Sequence, residues 1–322
     1  MRGTGIVWSM PHNIRRWLAG KYREVPLMLA GLRTRPGRHG GARPENVVWI
    51  FGAGRTGSTW LRSIMGDMKD HKIWEEPLVG RLFGEFYDRA QKSHLQRPDF
   101  VMADATRRGW TKSIRNFVLD GAKYARPRLG PDDYLVIKEP NGSMGAPLLM
   151  EALPESRMIL LLRDPRDVAA STLDAAKEGG WLHSWVDENK IGWRKDSLAD
   201  SDPEAFIEMN ARVYLQQISA AKEAYEAHPG PKALVRYEEL VADTLGTMRR
   251  IYRELGLGED REHLERAVGK HSWEMIPEEK KGEGKFYRKG EVGSWRKDLT
   301  PEQVRTIERI TAPLLAQFYA EY

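Results

Sequence analysis

The sequence predicts an α/β fold in which one central parallel sheet carries helices on both faces within a single domain. Short apolar runs rich in β-branched residues recur without polar alternation, as in strands that are buried on both sides. Segments with a helical spacing of apolar residues separate these runs. Strands that alternate with helices form parallel sheets covered on both faces, so the two observations together favour this fold class.

Five apolar runs are predicted to form the strands, because each is short and is followed by turn or helix signals. They lie at residues 47–51, around 73–74, at 134–137, at 158–162 and at 233–236. Predicted helices follow them, at 58 to about 68, within 80–128, at 167–176, from 203 to about 227, at 242–255 and from 301. Pro203 suits the first turn of a helix, Gly256 ends one, and Thr300 with Gln303 predicts a capping box.

Composition limits the classes of function. The 322 residues can bury a large core, and the chain has no cysteine, which excludes disulfides, thiolate chemistry and cysteine-bound zinc. No run approaches the ~18 apolar residues of a membrane span, and no secretory signal is recognisable. We therefore expect a cytoplasmic protein.

The positive charge is concentrated at the start of the chain. Residues 1–45 carry nine Lys or Arg and two Glu, a net +7 that leaves −2 for the remainder of a chain with net charge +5. This distribution argues against a nucleic-acid surface on the body of the protein. We predict a basic extension and linker at 1–45 and a domain at 46–322. Residues 1–35 could contact a membrane peripherally or pack loosely on the domain, and the sequence leaves both open.

A glycine-rich loop follows the first predicted strand. Gly52 and Gly57 have the spacing of a P-loop, and the loop leads into a helix start, where free N–H groups and the helix dipole favour an anion. Ser58 stands where a nucleotide triphosphatase has lysine, and Arg55 supplies a cation inside the loop instead. The arrangement predicts a P-loop-like fold, although a plain strand-to-helix turn would look similar.

Two further segments have the chemistry of a phosphate site. Arg163 ends the fourth predicted strand and Ser171 lies eight residues later, so both can reach a ligand at the carboxyl edge of the sheet. The alternative is that Arg163 pairs with Asp164 or Asp167. Near the C-terminus, Arg288, Lys289 and Gly290 can bring two cations and backbone amides to one anion, although such loops are often simply solvated.

In this order, the three segments resemble the sulfotransferases that use 3′-phosphoadenosine 5′-phosphosulfate. GRTGSTWL at 54–61 resembles their 5′-phosphosulfate loop, the run from Arg163 to Ser171 their 3′-phosphate segment, and RKGEVGSWR at 288–296 their C-terminal loop. The likeness extends over residues 47–297. It implies that Trp60, Tyr237 and Trp273 contact adenine. The donor-binding residues it implies are Arg55, Thr56, Gly57, Ser58, Thr59, Trp60, Arg163, Ser171, Tyr237, Trp273, Arg288, Lys289 and Gly290.

The resemblance implies in-line transfer of a sulfuryl group to a hydroxyl on a carbohydrate, a glycolipid or another hydroxylated metabolite, with 3′-phosphoadenosine 5′-phosphate as product. Arg55 and Lys138 would supply positive charge at the transferred group, so no metal is expected. A P-loop small-molecule kinase and a non-catalytic, membrane-associated scaffold that binds the nucleotide bisphosphate are the alternatives. The sequence does not predict the oligomeric state.

The general base is predicted from a second likeness. The histidine that cytosolic members carry after the matching lysine is absent from Lys138-Glu139-Pro140. Glu76-Pro77-Leu78 resembles a segment of carbohydrate- and glycolipid-type members, which makes Glu76 the expected base. Glu75, Glu139 and His183 are alternatives, and Glu76 could instead only pair with Arg55 or Lys138. We expect residues 179–202 to form a tryptophan-rich loop that gates the acceptor, although packing against the body would explain it equally well.

Overall fold

The computed structural model describes residues 41–91, 95, 97–188, 198–258 and 260–320. Five parallel strands form one sheet in the order β2-β3-β1-β4-β5. The register places Val48 opposite Val136 on one side and opposite Arg157 on the other. This architecture confirms the predicted fold class. The strands are β1 (Val47–Gly52), β2 (His71–Glu75), β3 (Tyr134–Lys138), β4 (Arg157–Leu162) and β5 (Lys232–Arg236).

Helices connect the strands and cover the sheet on both faces. In chain order, the α-helices within the described residues are α1 (Ser58–Gly66), α2 (Val79–Gln91), α3 (Arg107–Ala125), α4 (Ala146–Ala152), α5 (Pro165–Ala176), α6 (Trp181–Glu188), α7 (Leu198–Ser201), α8 (Pro203–Ala227), α9 (Tyr237–Ala242), α10 (Thr244–Glu254), α11 (Arg261–Lys270), α12 (Trp295–Asp298) and α13 (Pro301–Phe318).

The central strand shows why the fold has two layers of helix. Trp49 and Phe51 of β1 pack on one face with α3, α4 and α8, whereas Val48 and Ile50 pack on the other face with α1, α10 and α11. Successive side chains of a strand point to opposite faces, so a fully apolar run requires helices on both sides. A third apolar cluster joins α5, α8 and α13.

Because all five strands are parallel, their carboxyl ends lie at the same edge of the sheet. Gly52, Glu75, Lys138, Leu162 and Arg236 end the five strands there. The chain crosses from one side of β1 to the other between β3 and β4, so the connections diverge next to β1. Ligands of open α/β sheets bind at such a switch point, and the loop after β1 lies there.

Two parts of the helical prediction differ from the structure. The helix expected at 242–255 is present as α10, but the short α9 before it was not expected; the Asp243 side chain accepts from the Gly246 N–H and starts α10 as a separate helix. The stretch 179–202, expected as a loop, contains α6 and α7. The capping box at Thr300 and Gln303 is present as expected.

Some predictions concern residues outside the described part of the chain. These are the basic extension up to residue 40 and the part of the expected gate at 189–197. In the part of the chain that is described, no helix is both long enough and apolar enough to cross a bilayer.

Candidate active site

The loop after β1 has an unusual backbone. Arg55 (φ 66°) and Gly57 (φ 88°) both adopt left-handed conformations, and α1 begins directly afterwards at Ser58. No side-chain oxygen caps the start of α1. A Cβ atom on Gly57 would lie 2.5 Å from Cδ2 of Tyr237, so only glycine allows this close approach. The first-turn amides of α1 are thus directed to the strand-end edge of the sheet.

Arg55 projects from this loop toward the residues after β4. Its Nε donates to Oγ of Ser171 at 3.0 Å, and its Nη2 donates to the carbonyl of Phe286 at 2.8 Å. Burial, and then the neighbouring guanidinium of Arg163, lower the pKa of Arg55 to about 10, so it remains charged at neutral pH. The structure therefore brings together Arg55, Ser171 and Phe286, which lies two residues before the C-terminal loop; these three residues are more than a hundred positions apart in sequence.

Arg163 is the second cation at this edge. Its Nη1 donates to the carbonyl of Arg55 at 3.0 Å, its Nη2 to the carbonyl of Glu291 at 3.3 Å, and its guanidinium lies 4.3 Å from the centre of the Tyr237 ring. The Nε of Arg163 is buried and has no acceptor among the described residues. Arg163 thus bridges the loop after β1 and the C-terminal loop.

The acids beside Arg163 have other partners, so the alternative pairing is wrong. Asp164 caps α5 and holds the guanidinium of Arg166, with Oδ2 2.7 Å from Nη2. Asp167 accepts from the backbone N–H groups of Gly293 at 2.7 Å and Trp295 at 3.0 Å. Asp167 therefore fastens the C-terminal loop to α5, a role that the sequence did not reveal.

The basic loop near the C-terminus is neutralised by acids. Arg288 Nη2 lies 2.7 Å from Oδ2 of Asp298, and Lys289 Nζ lies 2.8 Å from Oδ1 of the same carboxylate. Arg288 Nε also lies 3.4 Å from Oδ2 of Asp174. Burial opposes the change, but Lys289 and Arg288 lower the pKa of Asp298 below its ordinary value. These cations are therefore not a solvated surface, and their acidic partners were missed by sequence reasoning.

Three aromatic side chains lie around the same loops. The Trp60 and Tyr237 rings meet edge to face at 6.2 Å. The indole N–H of Trp60 donates to the carbonyl of His271 at 2.7 Å, two residues before Trp273. A Cβ atom on Gly290 (φ 64°) would lie 2.6 Å from the Trp273 ring, so Trp273 packs directly on the basic loop. The expected adenine contacts thus come from α1, from the first residue of α9 and from the segment after α11.

Lys138 and Glu76 form a second charged group at the same edge of the sheet. The Lys138 side chain is 4% exposed, and its Nζ lies 2.5 Å from Oε1 of Glu76 and 3.4 Å from Oε1 of Glu75. Asn141 donates to the second oxygen of Glu76 at 3.0 Å, while Glu75 also pairs with Arg62 at 2.7 Å. Burial acts in the opposite sense, but Arg62 and Lys138 lower the pKa of Glu75. Glu75 therefore lies between two cations, whereas Glu76 pairs with Lys138 and Asn141.

Glu139 is a buried carboxyl behind this pair. Its two oxygens accept from the N–H groups of Leu78 at 3.1 Å and Gly80 at 3.2 Å. The turn that it holds is strained, because Glu76 (φ 43°) and Leu78 (φ 60°) are both left-handed. Burial raises the pKa of Glu139 to about 8. Glu139 supports the turn that carries Glu76, and it is itself fully enclosed.

Comparison with known proteins identifies the family. Residues 48–261 match a family described as the sulfotransferase family. The chain belongs to the sulfotransferase family. The match covers all five strands apart from Val47, and it includes Lys138 at the end of β3 as well as Arg55 and Arg163 after β1 and β4.

Curated relatives agree with this assignment. The sulfotransferase is 25% identical over 288 residues to "Cytosolic sulfotransferase 17" of Arabidopsis thaliana, an alignment that covers 73% of this chain and 78% of the relative. It is 26% identical over 150 residues to "Omega-hydroxy-beta-dihydromenaquinone-9 sulfotransferase Stf3" of Mycobacterium bovis. That alignment covers 47% of this chain and 34% of the relative, so it spans about a third of that protein.

Solved structures show the same fold. Mouse sulfotransferase SULT7A1 complexed with PAP aligns with a TM-score of 0.52 at 15% identity, covering 87% of each chain. Sulfotransferase STF9 from Mycobacterium avium aligns with a TM-score of 0.51 at 15% identity, covering 86% of this chain and 78% of that one. These likenesses support the architecture of the sulfotransferase.

The remaining candidates in the sulfotransferase lie on α6. His183 is partly exposed there, whereas Trp181 faces Arg55, with the guanidinium 5.4 Å from its ring centre. Within the described residues no group of three or more His, Asp or Glu is placed to hold a metal ion.

Proposed function

We propose that this sulfotransferase moves the sulfuryl group of 3′-phosphoadenosine 5′-phosphosulfate to a hydroxyl of a small acceptor. The supporting observation is the convergence of three cationic segments that are distant in sequence. Arg163 donates to the carbonyls of Arg55 and Glu291, and Arg55 donates to Ser171. A ligand with anionic groups at both its 5′ and 3′ ends fits such a set of cations better than one with a single anionic end.

The residues present fit this donor. The uncapped start of α1 offers amides to the phosphosulfate. The buried Nε of Arg163, which lacks an acceptor among the described residues, is a donor suited to an anion. On this proposal Arg55 and residues 56–59 hold the 5′ end, and Trp60, Tyr237 and Trp273 contact the adenine. The 3′-phosphate is held by Arg163, Ser171, Arg288, Lys289 and Gly290.

Glu76 and Lys138 carry the chemistry on this proposal. Glu76 accepts the proton of the acceptor hydroxyl, whose oxygen forms the new bond to sulfur. The bond between sulfur and the bridging oxygen breaks, and its electron pair remains on the 5′-phosphate of the leaving nucleotide. Lys138 and Arg55 stabilise the charge that develops there. The buried position of Lys138 strengthens this effect, because water screens it poorly.

We expect a hydroxylated small molecule as the acceptor, because a curated relative is named for a hydroxylated menaquinone. The expected choice among carbohydrate, glycolipid and other metabolites stays a prediction, as do the cytoplasmic location and the membrane contact of residues 1–35. The gate at 179–202 also stays a prediction.

Calorimetry with three nucleotides tests the donor. We expect heat of binding with 3′-phosphoadenosine 5′-phosphate, at least about tenfold weaker binding of adenosine 5′-monophosphate, and no tight binding of ATP with Mg²⁺. Tight binding of ATP with Mg²⁺ in place of the bisphosphate would favour a kinase. A screen of hydroxylated acceptors with ³⁵S-labelled donor then tests transfer, and binding without transfer to any acceptor would favour a scaffold.

A further inference from the structure

The guanidinium of Arg55 lies between two aromatic rings. Its Cζ is 5.4 Å from the ring centre of Trp181 and 5.1 Å from that of Phe286. The two rings contact each other edge to face, with centres 5.1 Å apart. A cation beside two ring faces is held electrostatically, and the effect grows when the cation is desolvated. Trp181 therefore contributes to the position of Arg55.

Backbone hydrogen bonds fix the start of α6 at this point. The N–H of Trp181 donates to the carbonyl of Gly284 at 2.8 Å, and the N–H of Gly284 donates to Oδ2 of Asp174 at 3.0 Å. Asp174 also lies 3.4 Å from Arg288. Asp174 on α5 thus holds Gly284 and, through it, the backbone of Trp181, and the same carboxylate pairs with Arg288 of the C-terminal loop.

The indole N–H of Trp181 lacks a hydrogen-bond acceptor in the described part of the protein. Its Nε1 atom is buried. A buried donor without a partner is unfavourable, and indole N–H groups in proteins usually find an acceptor. Because the ring lies against Arg55, an anionic oxygen bound by Arg55 is the acceptor best placed for this N–H.

The geometry points to Trp181 as a donor-site residue, whose ring holds Arg55 and whose indole N–H donates to an oxygen at the 5′ end of the sulfated nucleotide. This inference rests on the proposed function. It also changes the role expected for the stretch 179–202, because its first aromatic residue faces the donor cation.

Two substitutions distinguish the contribution of the Trp181 ring to nucleotide binding from that of its indole N–H. Trp181→Phe keeps an aromatic ring and removes the donor, whereas Trp181→Leu removes both. Calorimetry is done with 3′-phosphoadenosine 5′-phosphate and with adenosine 3′-monophosphate, which lacks the 5′ anion. We expect Trp181→Phe to weaken binding of the bisphosphate about tenfold, as for a hydrogen bond to a charged group, and to leave the monophosphate within twofold. Trp181→Leu should weaken the bisphosphate further.

Trp49→Phe is the matched control. Its Nε1 is likewise buried without an acceptor among the described residues, but Trp49 lies in β1 and stacks on Phe51 at 5.5 Å. This control should change thermal stability alone. Equal affinities of the wild type and Trp181→Phe for the bisphosphate would overturn the inference, and so would an equal loss for both nucleotides. If the wild type binds neither nucleotide, the proposed function fails first and the inference fails with it.

Discussion

Lys138 and Glu76 form an ion pair in which Nζ lies 2.5 Å from Oε1. The pair joins the ends of neighbouring strands, because the register of β2 and β3 places Glu75 opposite Lys138. The sequence left open whether Glu76 is the base or only pairs with Arg55 or Lys138. The structure shows the pair with Lys138. Pairing and catalysis are compatible, since a carboxylate that neutralises a lysine can still take a proton when an acceptor hydroxyl approaches.

Glu76→Gln tests the proposed base. The amide keeps the shape of the side chain but cannot accept the proton, so we expect kcat to fall about 10²–10⁴-fold. Binding of 3′-phosphoadenosine 5′-phosphate, measured by calorimetry, should stay within about twofold of the wild type. The reason is that Glu76 pairs with Lys138 and is not among the residues proposed to hold the nucleotide. Glu75→Gln is the control, and its loss should be smaller. A near-normal kcat for Glu76→Gln would assign the base elsewhere.

Asp298→Asn tests competition for the basic loop. Asp298 neutralises both Arg288 and Lys289, so a phosphate that binds these cations must compete with its carboxylate. Removing the charge should tighten binding of 3′-phosphoadenosine 5′-phosphate about three- to tenfold, and the gain should shrink at high salt. The measurement is calorimetry at two ionic strengths, with the exposed Glu302→Gln as a control of equal charge change. Weaker binding would show that Asp298 orders the cations and does not compete.

Glu139→Gln tests the origin of a pH-dependent stability. The pKa of Glu139 is raised from an ordinary 4.5 to about 8, so the folded state holds its proton where the unfolded state releases it. The free energy of unfolding should therefore fall as the pH rises from about 4.5 through 8, by about 1.4 kcal/mol per unit at most. Glu76 and Lys138 face the same carboxyl and contribute to its titration.

Urea unfolding between pH 5 and pH 9 measures this slope. Glu139→Gln should flatten it and lower stability at pH 5, because an amide nitrogen opposes one of the two N–H groups. The exposed Glu279→Gln should leave the slope unchanged. An unaltered slope in Glu139→Gln would exclude Glu139 as its source.

Gly57→Ala tests the close contact between the loop after β1 and Tyr237. The new Cβ would lie 2.5 Å from Cδ2 of Tyr237, whose ring supports Arg163. We expect affinity for 3′-phosphoadenosine 5′-phosphate to fall more than about tenfold, together with a lower Tm. Gly256→Ala is the control, because Gly256 also has a positive φ of 62° but faces open space. It should lower Tm and leave the affinity unchanged, and equal affinity losses would mean that strain alone is responsible.

Local chemistry explains which parts of the fold the sequence could predict. Each strand is a short apolar run, so its location and its burial on both faces follow from a few adjacent residues. The capping box of Thr300 and Gln303 could be predicted in the same way, because the two residues lie within four positions of each other. The short helix α9 was not predicted, because its six residues follow β5 directly and are too few for a helical spacing of apolar residues to show.

The sequence by itself determined the α/β class, the glycine-rich loop and the segments that carry the cations, because these depend on neighbours along the chain. Only the tertiary structure decided what each cation contacts. Asp174 beside Arg288, and Trp181 against Arg55, are contacts between segments that the fold brings together. The second pair is separated by more than a hundred residues. No local pattern specifies such pairs, since the packing of helices and loops around the strand ends sets them.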